Sequence, residues 1–156
     1  MREEEPDVIG MLIRHELVIK ELYEIFATMY KNHESFWQNL AADEQKHADW
    51  LAELRSDPIT DKWFKYSSQL KPQAIKTSIG FVEQQIAKAK EGNLSLLQAL
   101  SIARDLESAL LERQFSKLKD SVPKEIRPII MSLANETERH RKIVIELFVY
   151  EKRKIS

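Results

Sequence analysis

Along four stretches of the chain, apolar residues recur at alternating steps of three and four, the spacing that lays one buried stripe down a helix. The first stripe runs Leu12, Glu16, Ile19, Tyr23, Phe26, Tyr30, and the second runs Leu40, Glu44, His47, Leu51, Leu54. The third runs Leu96, Leu100, Ala103, Glu107, Leu110, Gln114, and the fourth runs Ile126, Ile130, Leu133, Thr137, His140, Val144, Leu147. Each stripe is interrupted near its middle by acid, imidazole or hydroxyl, where the pattern calls for hydrocarbon.

Breaks between the stripes carry helix punctuation. Ser35 is placed to cap the second helix, "DPITD" to close it, "EGNLS" to precede the third and "DSVPKE" to open the fourth. Helices one and two are joined tightly, with His33 in the connection. About forty residues separate the second stripe from the third, and within them "AIKTSIGFVEQQIAKAK" has its own stripe of Ile75, Ile79, Val82 and Ile86. That predicts a short crossover helix, and with it an all-α antiparallel four-helix bundle with one long crossover.

The two halves of the chain resemble one another. Residues 40 to 47, "LAADEQKH", align without a gap to residues 133 to 140, "LANETERH": Leu, Ala and His coincide and Lys46 faces Arg139. Glu16 precedes His47 by 31 residues and Glu107 precedes His140 by 33. Two helical hairpins related by a pseudo-twofold axis are expected.

Composition narrows the picture. With 156 residues, 43% hydrophobic and 31% charged, the chain suits one domain spanning residues 1–156. Three Gly and five Pro favour helix over sheet. A net charge of -1 with interleaved signs gives no footprint for nucleic acid or for a membrane surface. No secretory signal and no apolar run of about 18 residues is visible, so a cytoplasmic location is expected. The chain has no cysteine, so metal chemistry must use His and carboxylates.

Ionised carboxylates in an apolar core are costly unless paired, hydrogen-bonded or bound to metal. Glu44 and His47 are three apart and project toward one inner line, an arrangement that chelates iron or manganese. A lone Glu on each of two helices plus Glu-x-x-His from each of the others is the plan of di-metal carboxylate bundles. Here Glu16 and Glu107 are the lone acids, and His140 closes the second motif.

On these residues, Glu16 with Tyr23 seven later, "DEQKH", "ARDLESALLE" and "NETERH", the chain resembles a ferritin-like domain of the rubrerythrin group over roughly residues 8 to 152. The resemblance implies two irons that react with oxygen or peroxide, to oxidise ferrous iron or reduce peroxide. It lacks the cysteine-ligated rubredoxin domain that often accompanies such bundles, so an external electron donor is implied. The expected ligands are Glu16, Glu44, His47, Glu107, Glu136 and His140, with manganese or zinc as alternative metals. A homodimer is expected.

One position departs from the plan. The second Glu-x-x-His needs an acid at 137, and the residue there is Thr137. At about 100° per residue, position 136 lies about 40° from His140 and position 137 about 60°, so a small rotation or a π-bulge would bring Glu136 inward. Without it, the centre reduces to one metal or to an asymmetric pair. The alternative is a bundle that has lost catalysis and serves as a metal-free or single-metal binding module. Tyr23, Tyr30, Trp37 and Trp50 read as core aromatics, "KWFKY" (residues 62 to 66) as packing within the chain, and His15, about 100° around the helix from Glu16, as no ligand.

Overall fold

A computed structural model describes residues 7–66, 70–110, 115 and 118–155, all helix and turn with no strand among them. Gln114, at the end of the third stripe, and Leu111 and Glu112 of "ARDLESALLE" lie outside the described residues, as does the side chain of Tyr66. The helices are α1 (Val8–Met29), α2 (Glu34–Ser56), α3 (Pro58–Tyr66), α4 (Pro72–Lys90), α5 (Leu96–Leu110) and α6 (Arg127–Ile155). They form two compact units, Met1–Gly92 and Asn93–Ser156.

In the first unit, α1 is buried on two faces. One carries Leu12, Glu16, Ile19, Tyr23 and Phe26; the other adds Ile9, His15, Val18 and Leu22. The second face is covered because the crossover is more than a short link. Its α4 has 19 residues and packs along α1 through Ile75, Ile79, Val82 and Ile86. The crossover also holds a further helix, α3. "DPITD" closes α2 and at once starts α3: the Asp57 carboxylate accepts from the Ile59 and Thr60 amides at 2.9 and 3.5 Å, and Pro58 takes the first turn, where its missing N–H costs nothing. Phe64 of α3 is buried and meets Trp63 edge-on at 5.0 Å between centroids.

Helix ends follow local chemistry, with one exception. Asp7 caps α1, accepting from the Gly10 amide at 2.9 Å. Ser95 and Gln98 form a reciprocal capping box on α5, Gln98 N to Ser95 Oγ at 3.1 Å and Ser95 N to Gln98 Oε1 at 2.8 Å. Gly92 ends α4 at φ 76°, the left-handed conformation that favours glycine. Ser35 is not a cap: a single 3-10 turn at Lys31–His33 runs straight into α2, which starts one residue earlier, at Glu34, with His33 before it. The tight connection leaves no extended residue at which a serine could fold back onto the helix.

Where α1 meets α2, the hairpin end is filled by aromatics. Trp37 is fully buried, with centroids 5.6 Å from Tyr23, 4.8 Å from Phe26, 5.1 Å from Phe36 and 6.5 Å from Tyr30. In the second unit α5 packs on α6 through Ala99, Leu100, Ala103, Leu106 and Leu110 against Ile130, Leu133, Ala134 and Val144, and Phe115, Leu118, Val122 and Ile126 close the turn region. No helix among the described residues is long and apolar enough to cross a membrane.

Trp37→Ala is expected to cost about 3–5 kcal/mol, the range for emptying a buried aromatic site. Urea denaturation followed by far-UV circular dichroism measures it, and a loss under 1 kcal/mol, on the order of a surface substitution, would show the cluster to be dispensable.

Candidate metal centre

The polar residues inside the stripes are buried. Glu16 and His47 are each 1% exposed, and Glu44, Glu107 and His140 are each 0%. Periodicity explains why: Glu16 shares the inner face of α1 with Leu12 and Ile19, and Glu44 and His47 share that of α2 with Leu40 and Leu51.

In the first unit three of these groups converge. One ligand atom from each of Glu16, Glu44 and His47 lies within 4.8 Å of the others. His47 Nδ1 stands 3.4 Å from Glu44 Oε2 and 3.8 Å from Glu16 Oε2. Both separations exceed a good N–H···O hydrogen bond, so the three are gathered around a point more than bonded to one another. Glu16 Oε2 is buried and makes no hydrogen bond among the described residues. A buried carboxylate oxygen in that state is costly unless another group takes its lone pairs.

Electrostatics in the cluster follow from burial. The Glu16 carboxyl is pushed from its ordinary 4.5 up to about 8, first by loss of hydration, then by the negative charge of the adjacent Glu44. Burial acts to lower the His47 imidazole, but the adjacent carboxylates of Glu16 and Glu44 outweigh it and raise it from 6.5 to about 10. Below about pH 8 Glu16 keeps its proton, and His47 is held charged by its contacts to Glu16 and Glu44. A protonated Glu16, an anionic Glu44 and a cationic His47 sum to zero charge. Two carboxylates, a neutral imidazole and one divalent cation sum to zero as well. The cluster can therefore exchange two protons for one such ion without leaving net charge in the core.

The second unit pairs His140 with Glu107 at 3.5 Å, Nδ1 to Oε1, both fully buried. Glu136 is half-buried; its carboxylate accepts from Arg139 Nε at 2.8 Å and also lies within 4.8 Å of a His140 ring nitrogen. It does so without a π-bulge, because α6 is regular α-helix throughout. Thr137 is buried, and its hydroxyl donates to the Leu133 carbonyl one turn back at 2.8 Å. That bond satisfies the hydroxyl within its own helix. At 137 the second half therefore offers a neutral hydroxyl, with its proton committed to the helix, in place of a charged carboxylate.

Comparison with protein-family models, curated proteins and solved structures finds no match to this chain. The reading of the site rests on its own chemistry.

Two residues near the centre were passed over in the stripes. His15 is 2% exposed and hydrogen-bonds Ser78 of α4, 2.7 Å from Nε2 to Oγ. Burial lowers its pKa, against the opposing pull of Glu16, so it sits neutral in the α1–α4 interface. Only the second covered face of α1 accounts for it, and the step of one residue from Glu16 gave no sign of that cover. Trp50 of α2 stacks on His47, 5.6 Å between centroids at 28°. Its spacing of three from His47 was the available signal.

Because Glu16 and His47 bind protons more tightly folded than unfolded, the metal-free protein should lose stability as pH rises above about 6.5, below which the burial-lowered His15 acts in the opposite direction. The Glu16 contribution is complete below about pH 4.5 and gone above about 8; that of His47 is complete below about 6.5 and gone above about 10. Thermal melts in chelator from about pH 6.5 to 10 should show a falling Tm, and Glu16→Gln should flatten the segment below pH 8. A Tm that rises across this range would contradict the assignment.

Proposed function

We propose that the chain is a ferritin-like metal–carboxylate protein whose first metal position is built from Glu16, Glu44 and His47. The observation that carries this reading is the convergence of two carboxylates and one imidazole, all buried, within 4.8 Å of one another in an otherwise apolar helical pair. Carboxylate oxygen with imidazole nitrogen is a donor set for iron, manganese or zinc. Iron is proposed as the native metal, by the resemblance to rubrerythrins.

In this reading the two helical pairs are the halves of a four-helix bundle with one crossover, and Glu107, His140 and Glu136 are the second half's donors. Iron held there would supply redox chemistry toward oxygen or peroxide, with electrons from an external donor. Glu16 and Glu44 neutralise a divalent cation, His47 adds a neutral nitrogen after yielding its proton, and Leu12, Ile19, Leu40 and Leu51 on the same faces keep bulk water from the donors. Oxidation of ferrous iron or reduction of peroxide is the activity proposed.

A second reading is favoured by Thr137 and by the Arg139 contact to Glu136. With one acid fewer in the second half, the protein holds a single metal, or none, and serves as a helical binding module.

Metal counting separates the two. Protein purified without tag or chelator from cells grown with iron and manganese should carry close to two metals per chain by mass spectrometry, or one if only the first half is competent. Metal at a thousandfold over its Kd should stabilise the fold by about 4 kcal/mol. Glu44→Ala should abolish the effect of chelator on Tm. Absence of metal after anaerobic ferrous loading, with Tm indifferent to chelator, would overturn the metal-binding reading.

A further inference from the structure

A buried redox metal that takes electrons from outside needs a route through the protein, and the wall of this site holds one aromatic ring suited to the task. Trp50 lies three residues after His47 and four after Lys46, so its ring is within reach of the buried imidazole on one side and the exposed ammonium on the other. Its indole stacks on the His47 imidazole, 5.6 Å between centroids at 28°, and Lys46 Nζ sits 5.1 Å from the ring centroid. His47 is 1% exposed while Trp50 is half-buried, so the stack runs from the interior to solvent within two side chains. Tyr23 and Trp37 are fully buried and offer no such outlet themselves.

Resting on the metal-binding reading above, we infer that Trp50 is the electron port of the centre. It conducts single electrons between a one-electron carrier at the surface and the metal held by Glu16, Glu44 and His47. The step is an outer-sphere transfer: one electron leaves the carrier, which is oxidised, and a ferric ion in the site becomes ferrous. No bond is made or broken. Two stacked π-systems 5.6 Å apart between centroids couple donor and metal better than saturated side chains or a solvent gap. The Lys46 cation favours the neutral indole over its radical cation, so Trp50 serves as a bridge and not as a place where an electron hole rests.

The test uses the iron-loaded, oxidised full chain and its Trp50→Leu and Trp50→Tyr variants. Each is mixed in a stopped-flow instrument with reduced methyl viologen, a one-electron donor, and the decay of viologen absorbance gives the rate of metal reduction. Iron per chain, the ferric absorption spectrum and the quenching of tryptophan emission on metal titration are recorded beside it. Expected is a wild-type emission component, missing in Trp50→Leu, that iron quenches. Trp50→Leu should bind the same iron with the same spectrum yet be reduced at least an order of magnitude more slowly, and Trp50→Tyr should recover most of the rate.

Equal rates in wild type and Trp50→Leu, at equal iron content, would overturn the port while leaving the metal site standing. If Trp50→Leu loses iron and Trp50→Tyr regains the iron but not the rate, Trp50 only positions His47 and the inference is likewise overturned. If the wild-type chain binds no iron, both readings fall together.

Discussion

The placement of ionisable groups where water cannot reach them is the constraint on which the rest of this structure depends. Glu16, Glu44 and His47 in one helical unit, and Glu107 and His140 in the other, occupy positions that packing alone would give to leucine. Such groups weaken an apolar interface unless their charge is balanced locally. In the first unit the balance is struck with protons, one on Glu16 and one on His47 beside the Glu44 charge. The same arithmetic admits a divalent cation. The cost of burial and the capacity to bind metal are thus two aspects of one arrangement.

The surrounding fold makes that arrangement rigid. On the hairpin side, α1 and α2 are locked by the aromatic cluster around Trp37, two turns of α1 beyond Glu16. On its other face α1 is held by α4, where the buried His15 reaches the half-buried Ser78 beside isoleucines and valine. With α1 covered on both sides, Glu16 is removed from water, and that loss of hydration is the chief reason its carboxyl is pushed upward. The second unit is poorer in acid. Thr137 spends its hydroxyl on its own helix, and Glu136 is shared with Arg139. The asymmetry between the units therefore lies in the side chains, since both pairs of helices offer the same kind of buried face.

Much of the helical framework was legible because helix periodicity is a local property. Apart from Tyr30 and Ile126, which lie one residue beyond α1 and one before α6, the described residues of the four stripes fall within α1, α2, α5 and α6, and their central polar residues are buried, since an amphipathic helix has one face to hide and its composition names that face. The crossover was less legible. Its stripe was visible, but Asp57 and Pro58, which read as a stop, also begin α3, for the same residues that end one helix cap the next. Ser35 looked like a cap and is not, because the preceding 3-10 turn delivers the chain already helical.

The sequence by itself determined that the described chain is helical, which face of each long helix is buried, and that acid and imidazole lie on those faces, since each follows from spacing along one element. Only the tertiary structure decided how close those groups come: that Glu16, Glu44 and His47 converge within 4.8 Å, that His15 is covered by α4, and that Trp50 lies flat on His47. Distances between elements depend on how helices cross and which rotamers the crossing permits, and no periodicity within a single helix carries that information.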